Sequence, residues 1–410
     1  MIKPELLAPA GNLEKLKTAI LYGADAVYVG GEEFSLRTAC DNFTDDELKY
    51  GIDFAKNSGK NIYVAANVIL KNKNIEEFTR FVQTVNSYGA DAIIISDLGA
   101  LEIVKNIAPK LDIHISTQAN TVNYVTAEMW HKLGAKRVVL ARELSQMEIK
   151  EVRQRTSADL ELEAFVHGAM CVSYSGRCLL SNYMTGRDAN QGECAQPCRW
   201  KYYLVEEKRP NQYIPVFENE NGSYFFNSKD LCLIQYIPQL IECGISSFKV
   251  EGRVKSEYYV ATVVKAYRQE IDRYLENPSA YTFDTKQMEE LRKVSHREYS
   301  TGFWEGRPQN TSQIYENNSY IRDYDVVGIV KSCEENGIAK IEQKNKFCVG
   351  DVIEIMQPNE ECITMTITDM YNKRGEKILE APHAQMVVTI KLPSQVPENS
   401  MVRKAREQEV

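Results

Sequence analysis

Eight short, apolar, β-branched runs recur through the first 275 residues, each followed by a turn and a helical pattern. They span residues 5–9, 26–30, 62–66, 92–96, 112–116, 137–141, 161–165 and 247–251. A strand that is apolar on both faces and returns only after a helix belongs to a parallel sheet covered on both sides. The intervening helices carry their own punctuation. Thr44-Asp45-Asp46-Glu47 supplies a polar cap and early acids, Asn74-Ile75 and Leu144-Ser145-Gln146 open two more, and Gly23, Gly59 and Gly89 stand just past three helix ends. Eight such units predict a (β/α)8 TIM-like barrel. The rival, a doubly wound open sheet, lacks its glycine-rich dinucleotide turn after the first strand.

Spacing locates the unusual part. Successive runs begin 21, 36, 30, 20, 25 and 24 residues apart, and then 86 apart between the seventh and eighth. That long step is a cysteine-rich insertion, residues 168–232, at the C-terminal end of a barrel strand, where enzymes of this architecture keep their chemistry. The barrel with its insertion is expected over residues 1–275. Residues 276–324, rich in Asn, Ser, Pro and Tyr, read as a wrapping linker. Alternating short strands over 325–395 predict a small C-terminal antiparallel β-barrel domain, and 396–410 reads as a basic tail.

Charge narrows the partners. With 57 acidic against 49 Lys and Arg side chains the formal charge is −8, which excludes a broadly basic nucleic-acid coat while allowing a local basic groove. No apolar stretch approaches the ~20 residues of a membrane span. The first residues lack the apolar core of a secretion signal, so a cytoplasmic protein with no membrane association is expected.

Five of the ten cysteines, Cys171, Cys178, Cys194, Cys198 and Cys232, fall inside the insertion. In a reducing compartment such a cluster reads as metal ligation or redox chemistry; the scattered Cys40, Cys243, Cys333, Cys348 and Cys362 read as small hydrophobes. Thiolates serve structural zinc and iron–sulfur clusters alike. Only the 194/198 pair has zinc-ribbon spacing, and the irregular remainder suits a 4Fe–4S cluster, with zinc as the alternative.

The strand ends would surround a pocket with Asn67, Asp97, Ser116, Gln118, Asn120, Arg142, Glu143, His167, Glu251 and Arg253. His167, Glu251 and Arg253 are the catalytic candidates; His167 reads as an acid or base or a donor to a cluster sulfide, and equally as a hydrogen-bonded structural histidine. Arg142, Arg253 and Lys255 match a dicarboxylate, since guanidinium grips carboxylate in a two-point fork; an internal ion pair of Arg142 with Glu143 or Glu251 is the competing reading. His114, within the fifth strand, reads as structural. Arg199 and Trp200, followed by Lys201, Tyr202 and Tyr203, interleave basic and aromatic side chains, either as a strip that stacks a nucleobase or as a packed edge strand. Gln118 joins Arg142, Lys255, Arg199 and Trp200 as a substrate-binding candidate.

The passage from Glu163 through Gly168, Cys171, Gly176 and Cys178 to Ser181 resembles the collagenase-like peptidases, peptidase U-type family thirty-two. So do Gly186-Arg-Asp188, the stretch from Cys194 to Trp200, Asp230-Leu-Cys232 and the stretch from Phe248 to Lys255, with the openings Glu5 to Gly11, Gly23 to Gly30 and Ser116-Thr-Gln118. The likeness covers nearly the whole chain and is strongest to the tRNA proteins that make wobble 5-hydroxyuridine. It implies an oxygen-independent RNA hydroxylase with a four-cysteine 4Fe–4S cluster and prephenate as oxygen-donating co-substrate. By that likeness the ligands are Cys171, Cys178, Cys232 and one of Cys194 and Cys198, with Cys194 favoured. tRNA is the implied partner, and a second family member a potential heteromeric one. Ribosomal RNA or another substrate is the alternative for the same chemistry.

Proteolysis, which the family label suggests, has little local support. The chain has no Gly-x-Ser-x-Gly elbow and no His-Glu-x-x-His among its five histidines, and Cys171 with His167 is the one local thiol–imidazole pair. A non-catalytic cluster-bearing scaffold that activates a partner is a third class.

Overall fold

The computed structural model describes residues 3–36, 42–170, 178–200, 203–204, 214–215, 227–306, 313–314 and 321–406. Its larger part is a closed ring of eight parallel strands: β1 (Glu5–Pro9), β2 (Ala26–Gly30), β3 (Asn61–Ala65), β4 (Ala92–Ile95), β5 (Asp112–Ile115), β6 (Arg137–Val139), β7 (Glu161–Ala169) and β8 (Ser247–Val250). Closure is explicit at Phe248, which pairs with Leu6 of β1 on one side and Ala164 of β7 on the other. The expected barrel is therefore the observed one.

Helices α1 (Leu13–Leu21), α2 (Asp45–Asn57), α3 (Ile75–Tyr88), α4 (Leu98–Ile107), α5 (Tyr124–Lys132) and α6 (Gln146–Gln154) alternate with these strands. Local sequence sets their ends. Thr44 with Glu47, and Ser145 with Glu148, each form a reciprocal capping box, and Gly89 closes α3 at φ 79°. The buried face of α3, made of Phe78, Phe81, Val82 and Val85, has the spacing of one helical stripe against the sheet.

The insertion leaves β7, which continues to Ala169, and its described part begins at Cys178. There α7 (Leu180–Thr185) and two short 3-10 turns dock on the loop after β3. The Gln191 side-chain amide donates to the Ile69 carbonyl at 2.6 Å, the Ile69 N–H donates to the Asn190 carbonyl at 3.3 Å, and Lys71 pairs with Asp188 at 3.7 Å. Since β3 and β7 are opposite staves of an eight-strand ring, the insertion crosses the barrel mouth. It returns as the short strand Asp230–Cys232, antiparallel to the end of β7, and α8 (Ile237–Glu242) leads back to β8.

Two expected boundaries change. The stretch read as a wrapping linker holds α10 (Thr285–Arg292), and its Tyr299–Ser300 extends the barrel sheet beside Asp230–Cys232. The stretch read as a basic tail holds the strand Met401–Ala405, which lies inside the C-terminal sheet between Tyr324–Cys333 and Val352–Met356. Its sequence carries Arg403, Lys404 and Arg406 close together, so it looks solvated until partners on both edges are known. The C-terminal unit is an eight-stranded antiparallel half-barrel around Val327, Ile341, Phe347, Ile353, Val388 and Ile390. Among the described residues no helix is long and apolar enough to cross a membrane.

The two units are clasped together. α9 (Glu257–Glu276) runs beneath the half-barrel, where Lys265 donates to the carbonyls of Gln357 and Glu360 at 2.7 and 2.6 Å. The Tyr22 hydroxyl donates to the Met356 carbonyl at 3.0 Å. Arg403, wholly buried, binds Glu290 of α10 at 2.7 Å and Glu354 at 2.6 Å and donates to the Tyr258 hydroxyl. Removing one partner of such a network leaves the remaining charges uncompensated. Arg403→Ala should therefore lower unfolding stability by about 3 kcal/mol, measurable by urea denaturation, and an unchanged midpoint would show that the clasp contributes nothing.

Candidate active site at the barrel mouth

The floor of the barrel is charged. Arg137 of β6 meets Glu5 of β1 at 2.6 Å, Glu161 at 2.7 Å and Glu163 of β7 at 3.0 Å. Lys249 of β8 meets Glu163 at 2.6 Å and lies 4.6 Å from the Tyr28 ring centre. Tyr63 and Ser247 both donate to Glu5, at 2.5 and 3.0 Å. Burial alone would raise the Glu163 carboxyl's pKa; Lys249 and then Arg137 outweigh it and hold it below the ordinary value. His114 is buried beside this network, its ring edge-on to Tyr63, and burial with Arg137 and Lys249 nearby keeps it neutral. Its structural reading agrees with that environment.

Above the floor the lumen narrows at Phe165, on whose ring Arg142 stacks at 3.9 Å. Arg142 also donates to the Ala169 carbonyl at 2.8 Å and approaches Glu251 at 3.7 Å. The internal ion pair weighed from sequence is thus present, and it orients the guanidinium at the mouth. Arg253 is buried and gripped by two glycines. A Cβ on Gly11 would fall 2.2 Å from the Arg253 carbonyl, and one on Gly30 would fall 2.2 Å from its Nη1 and 2.5 Å from Ser35 Oγ. Opposite stand Asn67, which donates to Ser116 Oγ at 3.1 Å, and the tight turn Thr117–Ala119 carrying Gln118. Asn120 closes that turn at φ 55°. Buried Ser35 Oγ, Asn120 Oδ1 and Arg142 Nε have no hydrogen-bond partner among the described residues, which leaves three polar atoms at the mouth open to water or a ligand.

Other sequence candidates are placed differently. Asp97 caps α4 through the Ala100 N–H at 3.1 Å. His167 follows Phe165 by two positions and by simple alternation would share its lumen face. Instead the β7–β8 register shifts between Lys249, opposite Phe165, and Val250, opposite His167. Gly168, at φ 107°, permits the close approach, since a Cβ there would fall 2.5 Å from the Glu251 carbonyl. The bulge turns His167 outward among Tyr259, Tyr267 and Tyr299, with ring centres 5.9, 5.6 and 5.2 Å away. The His167 ring is 1% exposed, and burial pushes its pKa down to about 3. Of the two sequence readings this placement matches the structural histidine, and it corrects the one that put an acid or base at the mouth. Lys255 likewise points outward, donating to the Ser295 carbonyl at 3.3 Å and lying over Tyr259.

Among the cysteines, Cys171 lies outside the described residues. Cys232 is buried, hydrogen-bonded with Tyr267, and burial pushes its thiol up to about 11. Cys178, Cys194 and Cys198 are half-buried on the mouth-crossing segment. Among the described residues no three His, Cys, Asp or Glu side chains are close enough to share a metal ion. Trp200 is 46% exposed on the same segment, and the Arg199 side chain lies outside the described residues. Sequence reasoning missed Ser35, the glycine cradle of Arg253 and the Arg137–Glu163–Lys249 floor. Only the period-two placement of Glu161, Glu163, Phe165 and of Lys249, Glu251 offered a signal for the last.

Against known proteins, residues 11–314 match the model of Peptidase family U32 and residues 322–403 that of the Peptidase family U32 C-terminal domain. A Bacillus subtilis protein named tRNA hydroxylation protein P1 is 41% identical over 405 residues, covering 98% of this chain and 95% of the relative. An Escherichia coli protein named tRNA hydroxylation protein P is 38% identical, covering 96% and 94%. The Escherichia coli 23S rRNA 5-hydroxycytidine C2501 synthase is 36% identical over 272 residues, covering 66% of this chain and 40% of that one.

The histidine correction has a pH signature. A histidine whose folded pKa is about 3 against 6.5 unfolded costs stability progressively as pH falls from the higher value toward the lower. His167→Phe, which keeps a ring among the tyrosines, should flatten the acid limb of stability across that window. Denaturation midpoints from pH 7 to pH 4 read it, and parallel limbs in the two proteins would reject the buried neutral ring.

Proposed function

The chain belongs to peptidase family U32, and from that premise we propose that it is an RNA-modifying enzyme that hydroxylates the wobble uridine of tRNA at C5. The observation that carries this reading is similarity along nearly the whole chain to proteins named for tRNA hydroxylation, both domains included. Geometry agrees with it. Chemistry on a base requires the base to leave its stack and enter a pocket. The mouth offers amides and hydroxyls at Asn67, Ser116 and Gln118, and an exposed Trp200 on the insertion. In this reading Arg142 and Arg253 hold the carboxylates of prephenate, the oxygen donor, and Glu251 keeps Arg142 aimed. Dioxygen is then not the oxygen source, and the two electrons released when a water-level oxygen replaces the C5 hydrogen pass to a separate electron acceptor.

The likeness further suggests a 4Fe–4S cluster held by Cys171, Cys178, Cys232 and Cys194, with Cys198 as substitute. Such a cluster supplies one-electron transfer. The donor chemistry suits it: half-buried and buried thiols beside an active mouth. Cys171 lies outside the described residues, and among those described no three candidate ligands are grouped, so the cluster rests on the likeness and on the thiol donors alone. What the chain's own residues do is independent of that: Tyr267 hydrogen-bonds the Cys232 thiol and positions it.

A second reading, hydroxylation of ribosomal RNA, is favoured by the similarity to the 23S rRNA synthase, although this chain covers only 40% of that protein. Proteolysis is supported by names alone, that of the family and that of a Methanocaldococcus jannaschii relative, 39% identical, called an uncharacterized protease.

Anaerobically purified protein should be brown with broad visible absorbance, and Cys171→Ala or Cys178→Ala should abolish it; a colourless preparation with one zinc per chain would replace the cluster with zinc. A deletion strain should lose wobble 5-hydroxyuridine, measured by nucleoside mass spectrometry. Intact tRNA hydroxylation alongside a missing ribosomal RNA hydroxylation would transfer the assignment to the second reading.

A further inference from the structure

A cleft of about 540 Å³ opens between the barrel and the C-terminal half-barrel, on the side of the molecule where the strands end and the mouth lies. Three cations from three separate parts of the chain line it: Lys15 in the first turn of α1, Arg322 in the segment entering the C-terminal sheet, and Lys344 in the turn after Ile338–Gln343. One carboxylate, Glu257, lines it with them. On a chain of formal charge −8 this concentration is a local exception, and a polyanion is held only where cations gather.

The helix starts beside the cleft are already capped, Asn12 accepting from the Lys15 N–H at 3.0 Å and Ser256 from the Tyr259 N–H at 3.2 Å. Side-chain cations, not helix amides, therefore carry any anion bound here. Arg322 and Lys344 hold Asp325 and Glu342 at 2.6 and 2.7 Å, in surface pairs that exchange readily for a phosphate because exposed ion pairs contribute little. Lys15 connects the cleft to the active mouth: its Nζ donates to the Arg253 carbonyl at 3.4 Å, and the Arg253 side chain packs against Gly30 at the end of β2.

We propose that this cleft binds the phosphodiester backbone of the RNA strand whose base enters the mouth, with Lys15, Arg322 and Lys344 each taking a phosphate oxygen. The proposal rests on the RNA reading above and gives the C-terminal half-barrel a role in substrate binding, since its Lys344 turn forms one wall of the track. Phosphate contacts of this kind fix register and orientation and carry no sequence information.

The test compares two triple variants of the full-length protein that remove the same charge. One is Lys15→Gln, Arg322→Gln, Lys344→Gln; the other is Lys110→Gln, Lys132→Gln, Lys136→Gln, three exposed lysines at the opposite end of the barrel. Affinity for a fluorescent anticodon stem-loop is measured from low to moderate salt, with inorganic phosphate as competitor. The cleft variant should bind at least about tenfold more weakly and lose about 2 from the slope of log affinity against log salt, at ~0.7 per single-strand phosphate contact. The opposite-face variant should keep both. Equal losses in the two variants, or none in the cleft variant, overturn the proposal. So does millimolar inorganic phosphate displacing RNA from the cleft variant as it does from the unmodified protein, since the phosphate would then act elsewhere. Complementation of the deletion strain separates the two readings. If the unmodified protein restores hydroxylation and the cleft variant restores it equally, the cleft proposal fails alone. If the unmodified protein binds RNA through the cleft yet restores no hydroxylation, the assigned reaction fails and the cleft stands.

Discussion

A buried charge without a partner is among the costliest features a protein interior can hold, and the barrel floor contains several charges that only one another can satisfy. Arg137, Glu163 and Lys249 come from β6, β7 and β8, and Glu5 from β1. These four meet only if β8 closes onto β1. In an open sheet Glu5 would lie at one edge and Arg137 several strands away. The network therefore makes ring closure a condition for desolvating its members, and Tyr28, Tyr63 and Phe165 pack on it, the two tyrosines in one cluster with Leu7 and Ile94.

The active mouth is built directly on that network. Phe165 faces both levels, with Lys249 beneath it and Arg142 stacked against it. Arg253 keeps its position because Gly11 and Gly30 leave room for its backbone and its guanidinium, so two residues with no side chain determine where a positive charge stands. The same logic operates at Gly168. There the close approach to Glu251 accommodates the register shift that sends His167 out among the tyrosines and lets the strand Asp230–Cys232 pair alongside. One irregularity thus separates the catalytic face from the aromatic packing of α9.

Coverage of the mouth follows from chain topology. The insertion starts on β7 and is fastened across the ring to the loop after β3 by Gln191, Asn190 and the Lys71–Asp188 pair. Cys178, Cys194, Cys198 and Trp200 lie on this span, while Arg403 and Lys265 hold the C-terminal half-barrel against α9 and α10.

The strand–helix alternation, the capping boxes at Thr44 and Ser145, the glycine stops and the cysteine-rich insertion were all legible in the sequence, because each depends on neighbours within a few residues. So was the Arg142–Glu251 pairing, as one of two readings. What the sequence left undecided were properties of contacts between distant segments. Alternation put His167 on the lumen side, and only a bulge between β7 and β8 moved it. Met401–Ala405 looked like a solvated tail, and only strands on both of its edges made it the middle of a sheet and buried Arg403. Local periodicity thus determined which segments become strands and helices, since backbone geometry repeats every two or 3.6 residues. Tertiary pairing alone decided which face, which charge and which glycine matter, because register and desolvation are fixed only when remote strands meet.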